Sequence, residues 1–132
     1  MADVQDWDLA ELLGADEGVG IQALTLYIPS HDRNGRRLPD QDKWVQEAAD
    51  LLVTLGGGAT IPPAYRGGWH DPASGRTIWE EPILPYAYVD PDCLEAEAGR
   101  LREFLHRMGR ETGQGEVAAE FDGEFFRITN FD

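Results

Sequence analysis

Apolar residues recur along this chain at the spacing of a strand in some stretches and of a helix in others. The order of these stretches limits the folds that the chain can adopt. Leu24, Leu26 and Ile28 lie two positions apart, which is the spacing of a strand, and this strand is expected to span 19–28. Its opposite face is also mostly apolar, so we predict a central strand.

Two stretches with the period of a helix follow. The first is expected to begin at Pro39-Asp40 and to end at the glycines after Leu55. The second begins at Asp90-Pro91, because Asp suits the cap and Pro the first helical position, and ends at Gly109 or Gly113. The apolar stripes are Trp44, Ala48, Leu51, Leu52 and Leu55 in the first helix and Leu94, Ala98, Leu101, Leu105 and Met108 in the second.

The last strands form a predicted hairpin. Asp122-Gly123 is a strong signal for a two-residue turn between alternating apolar residues. The order of elements is then β-α-β-β-α-β with one extra C-terminal strand, which predicts an α+β, ferredoxin-like sandwich over residues 19–132: an antiparallel sheet with two helices on one face. The expected cross-strand pairs at this turn are Phe121 with Glu124, Ala119 with Phe126 and Val117 with Ile128.

A second predicted hairpin lies between the helices. A strand over 65–70 and a return strand over 76–89, interrupted by Pro82 and Pro85, enclose an expected turn at 71–75. This turn places Trp79 opposite Gly67 and puts the aromatic residues on one side of the ribbon. Those aromatic residues are Tyr65, Trp69 and Trp79, and the other expected pairs are Arg66 with Glu80, Gly68 with Ile78 and His70 with Arg76.

This hairpin has two interpretations. The first is an aromatic-walled ligand pocket with polar contacts from acids and a histidine. The second is ordinary core packing with an Arg66–Glu80 ion pair across the strands, which is favoured because aromatic stripes usually mean packing. The candidate pocket residues are Tyr65, Trp69, His70, Trp79, Glu80 and Glu81.

The sequence suggests no catalytic residue, metal site or cofactor. The histidines and Cys93 lack the HxxxH or CxxC spacing that converging metal ligands need. Cys93 stands between Asp92 and Leu94 near acids that oppose a thiolate, which favours an inert thiol over a nucleophile. Gly56-Gly57-Gly58 follows a helix and carries no lysine, so it is interpreted as a helix stop rather than a phosphate loop.

Residues 1–18 differ from the rest of the chain. They contain six acids and no base, with apolar residues at Trp7, Leu9, Leu12 and Leu13. Such a segment can be a docking helix that orders on a partner, a disordered tail, or a frayed helix that packs on its own domain. The candidate residues for partner binding here are Asp3, Asp6, Trp7, Asp8, Glu11 and Leu12.

The formal net charge of −14 excludes some classes of partner. Phosphate contacts need Lys or Arg, so the acidity of this chain disfavours direct binding of DNA or RNA and attachment to an anionic membrane. The negative charge favours association with a basic protein partner. The alternative interpretation is that the acidity only keeps the protein soluble. One cysteine, no secretion signal and no long apolar run lead us to expect a cytoplasmic protein.

A few short motifs resemble a bacterial pattern. They are Trp44, Gly57-Gly58-Ala59-Thr60, Gly68-Trp69 and Glu80 or Glu81. The stretch, about half of the chain, resembles small, largely uncharacterised bacterial domains of ferredoxin-like build. The resemblance implies the fold and transfers no activity or site residue.

The predicted fold leaves the face of the sheet opposite the helices open. Tyr27 and Phe125 are expected there and are candidate contacts for a protein partner or a second copy of the chain. The sequence therefore favours a non-enzymatic, acidic protein-interaction module with an accessory, regulatory or inhibitory role. The alternatives are a small-ligand-binding protein or modest enzyme that uses the hairpin pocket, and a nucleic-acid mimic that acts on a DNA-handling enzyme.

Overall fold

The computed structural model describes residues 7–18 and 22–132. The fold is α+β and ferredoxin-like, built on one four-stranded antiparallel sheet. Helices are α1 (Leu9–Leu13), α2 (Gln41–Gly56), α3 (Pro91–Ala96) and α4 (Ala98–Glu111). Strands are β1 (Gln22–Leu26), β2 (Gly67–Asp71), β3 (Arg76–Glu80), β4 (Tyr86–Val89), β5 (Val117–Phe121) and β6 (Glu124–Ile128). Within the described residues, no helix has the length and apolar character that crossing a membrane requires.

The order of strands in the main sheet is β4-β1-β5-β6. Strand β1 pairs with β4 on one side and β5 on the other, both antiparallel, so α3 and α4 connect two parallel strands across β1. This is the split β-α-β connection of the predicted fold. As the alternation predicts, Leu24, Leu26 and Ile28 face the core and are almost fully buried.

Helices α2 and α4 pack on the same face of the sheet, as predicted. Their buried residues share one hydrophobic core with β1, β4 and β5. The largest contributor is Trp44 of α2, whose ring lies 6.0 Å from that of Phe104 of α4. The other members are Val45, Ala48, Leu51, Leu52, Leu55, Leu105, Met108, Ala87, Val89, Val117 and Ala119.

One helix start, one helix stop and one turn predicted from local signals are confirmed. Asp90 caps α3 by accepting a hydrogen bond from the Asp92 backbone N–H at 2.8 Å. Helix α2 ends at Gly57, whose φ of 82° is a left-handed conformation that glycine adopts without strain. Strands β5 and β6 pair in the predicted register about Asp122-Gly123.

The return strand of the first hairpin differs from the sequence prediction. Pro82 and Pro85 divide it, so that β3 pairs only with β2 in a separate two-stranded sheet, whereas β4 joins the main sheet. Proline has no N–H to donate, which explains the break. At the outer edge of β4, a single bridge from Thr60 to Tyr86 takes the place of a strand. The main sheet is therefore four-stranded.

The second predicted helix is also divided. Glu97 ends α3 and precedes α4, with φ of −105° and ψ of 11° outside the helical range. Gly99 follows shortly afterwards, and glycine is a weak helix former.

Candidate functional site

A cleft of about 750 Å³ lies between the β2–β3 hairpin and the face of the main sheet that the helices leave free. Tyr27, Phe125 and Arg127 line it from the sheet, whereas Trp69 and Glu80 line it from the hairpin. The hairpin therefore stands beside this face and turns part of it into one wall of a concave site. Concave sites with aromatic walls and a few polar groups are the usual form of small-molecule sites.

The sheet wall is held by one partly buried hydrogen bond and one aromatic contact. The Tyr27 hydroxyl donates to Glu120 Oε2 at 3.0 Å. Burial raises the pKa of Tyr27, and the neighbouring Glu120 carboxylate raises it further, so the ring stays neutral. Phe125 lies edge-on to Tyr27, with the ring centroids 5.6 Å apart. Each of the two aromatic rings therefore has a packing partner within the sheet itself.

The charged groups of the sheet wall are already paired with each other. Arg127 Nε donates to Glu116 Oε1 at 2.9 Å, and its Nη2 lies 2.8 Å from the same oxygen. This charge-assisted contact keeps the guanidinium beside the Glu116 carboxylate. Its positive charge is therefore partly neutralised at this side of the cleft.

The hairpin wall corrects the register expected from the sequence. Gly68, and not Gly67, faces Trp79, and Trp69 faces Ile78. The expected packing of an aromatic ring over a missing side chain is nevertheless present, because a Cβ at Gly68 would lie 2.7 Å from the Trp79 ring. Since opposite residues share a face and neighbours alternate, Trp69 and Trp79 lie on opposite faces of the ribbon.

The predicted Arg66–Glu80 pair is wrong for the same reason. Gly67, and not Arg66, faces Glu80, and His70 faces Thr77 instead of Arg76. The Arg66 guanidinium lies over the Trp79 ring, 5.1 Å from its centroid. This cation–π contact covers the hairpin face that points away from Trp69.

Glu80 is the half-buried carboxyl group of the cleft. Burial raises its pKa, and the nearby His31 opposes that shift. His31 Nδ1 lies 2.6 Å from the hydroxyl of Ser30, which is fully buried and also accepts a hydrogen bond from the Glu81 backbone N–H at 2.9 Å. His31 and Glu80 are far apart in the sequence, and only the fold brings them close together.

The cleft joins some of the sequence-predicted residues and not others. Trp69, His70 and Glu80 from the pocket prediction and Tyr27 and Phe125 from the partner prediction line it together. The remaining pocket candidates lie outside its lining: Tyr65 donates its backbone N–H to the Pro82 carbonyl at 2.9 Å, Trp79 lies on the other hairpin face, and Glu81 pairs with Arg37.

The N-terminal candidates form a separate group. Trp7, Asp8, Glu11 and Leu12 lie in or beside α1, none of whose residues is buried. Asp8 caps this helix by accepting a hydrogen bond from the Ala10 backbone N–H at 3.0 Å. The predicted contacts at Asp3 and Asp6 lie outside the described residues.

A groove of about 410 Å³ between α2 and α4 is less suited to a ligand. Its main cation, Arg107, pairs with Glu47 and with Glu103, the latter at 3.4 Å. The same guanidinium lies 5.0 Å from the Trp44 ring centroid. These charges stabilise each other, whereas the cleft keeps an unpaired carboxyl group at Glu80 beside exposed aromatic rings. Across residues 7–18 and 22–132, no group of three or more His, Cys, Asp or Glu side chains could hold a metal ion.

The comparisons with known proteins bear on the fold. No family model and no curated protein matches the chain. Among solved structures, a phage SAM lyase in complex with S-methyl-5'-thioadenosine is similar, with a TM-score of 0.58 and 13% identity over 86% of this chain and 92% of that one. A phage SAM lyase in its apo state has a TM-score of 0.54 and 16% identity, covering 86% and 94% of the two chains. At these identities the similarity concerns the fold alone.

Proposed function

We propose that this protein binds a small organic molecule in the cleft between the β2–β3 hairpin and the free face of the sheet. The main support for this proposal is that Trp69, Tyr27 and Phe125 line one cleft. Glu80 lines the same cleft. The sequence analysis assigned Trp69 and Glu80 to a ligand pocket and Tyr27 and Phe125 to a partner surface, and these two groups form two walls of the cleft. A ligand there would contact aromatic rings on both sides.

The chemistry of the walls favours a ligand with an aromatic part and a positive charge. Tyr and Trp rings attract cations through their faces, and the attraction grows when water is excluded. Glu80 adds a carboxylate, and the formal net charge of −14 adds a long-range attraction for cations. An adenosyl sulfonium meets both requirements, since it combines a flat base with a positive sulfur.

The structural neighbours provide the first ligands to test. One of them was solved with S-methyl-5'-thioadenosine and both carry the name SAM lyase. We therefore propose S-adenosylmethionine and S-methyl-5'-thioadenosine as test ligands. The charged sulfonium compound is expected to bind more tightly than the neutral thioether, because only the former interacts with Glu80.

The two tryptophans of the hairpin allow a matched test by isothermal titration calorimetry. Trp69→Ala removes a cleft wall, and Trp79→Ala removes the same side chain from the opposite face of the ribbon. We expect Trp69→Ala to weaken S-adenosylmethionine binding by about tenfold, equal to about 1.4 kcal/mol, and Trp79→Ala to change it by less than about twofold.

Two results would overturn the ligand proposal. One is the lack of measurable heat with both compounds and with adenosine at millimolar concentration. The other is an equal loss of affinity in both tryptophan variants, which would indicate that the hairpin fold rather than the cleft wall matters. Chromatography of the same samples reports any consumption of S-adenosylmethionine.

A second candidate function is the docking of a protein partner on α1. Leu12 and Leu13 are each 70% exposed, and Trp7 and Leu9 are also exposed although the helix is capped at both ends. Asp8, Glu11, Asp16 and Glu17 surround them with negative charge. This pattern fits a partner whose apolar groove is rimmed by Lys or Arg.

The docking proposal requires a purified partner and a salt series. We expect Leu12→Ala with Leu13→Ala to weaken binding by at least about tenfold, and affinity to fall as salt screens the acids. Val53→Ala, on an exposed apolar residue of α2, is the control. A partner that binds this double variant as well as the unchanged chain would contradict the proposal.

A further inference from the structure

The two edges of the main sheet are not equivalent. At the β4 edge, Thr60 bonds to Tyr86 in both directions, with its N–H donating at 2.8 Å and its carbonyl accepting at 3.0 Å. At the other edge, every strand partner of β6 within the described parts of the chain belongs to β5. Strand β6 therefore presents a row of backbone N–H and C=O groups on its outer side. Such rows are templates for pairing with another strand.

The side chains of β6 do not oppose such pairing. Proteins usually protect an edge with Pro, Lys or a bulge, and β6 has none of these. Phe125 is 51% exposed on the free face of the sheet, and Phe126 is 45% exposed on the helix face. Apolar surface is thus available on both faces of the same edge. With one acid and one base, β6 is also locally neutral in a strongly acidic chain.

We propose that β6 pairs antiparallel with β6 of a second copy of this chain, which gives a continuous eight-stranded sheet. The two copies are related by a two-fold axis perpendicular to the sheet. The helix-covered faces of both copies therefore lie on the same side of the continuous sheet, and the free faces lie on the other side. Opposite residues must then share a face, and the register that pairs all five residues of β6 is centred on Phe126, which lies opposite the second copy's Phe126. The same register places Phe125 opposite the second copy's Arg127 on the free face.

This register is self-complementary. The two Phe126 rings bury each other at the centre of the helix face, and each Phe125 ring offers its face to an arginine that already pairs with Glu116. Both contacts occur twice because of the symmetry. The pairing also places the second copy's Arg127 next to the cleft residue Phe125. It does not depend on the identity, or the existence, of a ligand in that cleft.

Sedimentation velocity over a range of concentrations tests the assembly. At about 100 µM we expect a species of twice the mass of the chain, in equilibrium with the monomer. Phe126→Lys introduces a charge at the centre of the interface and should weaken dimerisation by at least about tenfold. Tyr88→Lys places the same charge on a comparably exposed aromatic residue of β4 and should leave dimerisation unchanged. A chain that stays monomeric at this concentration overturns the proposal.

Cysteine cross-linking tests the register without relying on the Lys variant being folded. Directly opposed residues of antiparallel strands have Cα atoms about 4.5–5.5 Å apart, within the range of a disulfide. In a Cys93→Ala background, Phe126→Cys should form covalent dimers under mild oxidation, whereas Tyr88→Cys should not. Equal cross-linking of the two variants, or none in Phe126→Cys, contradicts the β6 pairing.

Discussion

Glu80 shows how the environment of one side chain sets its chemistry. The carboxyl group lies at the cleft with its pKa raised above the usual 4.5, mainly because burial disfavours the charged form. Compared with the unfolded chain, the folded protein therefore disfavours the charged form of Glu80. The corresponding contribution to stability is fully present at a pH below the pKa that Glu80 has in the unfolded chain. It is lost as the pH rises through the higher pKa that Glu80 has in the folded protein. At neutral pH the ionised Glu80 is a local cost to the fold.

The change Glu80→Gln should remove this cost. We expect the variant to unfold at a higher temperature than the unchanged protein at about pH 7, by about 1–4 °C, and the difference to vanish near pH 4. Thermal unfolding followed by circular dichroism across this pH range measures both. The neighbouring change Glu81→Gln breaks the ion pair with Arg37 and should bring no gain in stability at any pH. A Glu80→Gln variant that is no more stable at pH 7 would contradict the interpretation.

Helix α4 shows how a single element can depend on a distant segment. The C-terminal residues return to it, with the Phe131 ring against Gly109 and the Asp132 carbonyl 3.0 Å from His106 Nδ1. Arg110 also donates to the Phe131 carbonyl. A Cβ at Gly109 would lie 2.5 Å from the Phe131 ring, so only glycine permits this close approach.

Two glycines of α4 give opposite expectations for the same substitution. Gly109→Ala should destabilise the protein by about 1–3 kcal/mol, because Phe131 must move. The methyl group added by Gly99→Ala would have no atom within 4 Å. This substitution should stabilise the protein by about 0.5–1 kcal/mol, because alanine has a higher helix propensity than glycine. Urea denaturation of both variants provides the comparison. Equal effects would indicate that the C-terminal segment does not pack on α4 in solution.

Charge acts on the molecule as a whole. A formal net charge of −14 on 132 residues makes the compact state repel itself, and it makes two copies repel each other. The locally neutral β6 edge is therefore a surface where a second copy approaches at less electrostatic cost. Residues 1–17 carry six of the acids and no base, so their removal changes the net charge from −14 to −8.

Salt should strengthen both folding and dimerisation. Raising NaCl from about 0.02 M to about 0.5 M shortens the screening length several-fold, so we expect a higher unfolding temperature and a tighter dimer. Removal of residues 1–17 should reduce both salt effects, because less repulsion is left to screen. Differential scanning calorimetry and sedimentation velocity report the two quantities. A dimer that weakens as salt rises would indicate an association held by ion pairs instead.

Most of the fold could be predicted from local patterns. The cap at Asp90, the stop at Gly57 and the register about Asp122-Gly123 depend on residues close in sequence, and the structure confirms each. The burial of Leu24, Leu26 and Ile28 follows from the period of a strand in the same way. These features were accessible because caps, tight turns and periodicity are short-range properties.

The site was decided by tertiary structure. Asp71 accepts from Ala73 N–H at 3.1 Å and Ser74 Oγ at 2.8 Å, and its own pairing with Arg76 shortens the expected turn by one residue. A one-residue slip exchanges the two faces of a strand, and it therefore separates Trp69 from Trp79. The approach of this hairpin to Tyr27 and Phe125 was likewise outside the reach of sequence patterns. Such contacts join residues far apart in the chain, and their geometry depends on packing that no local preference encodes.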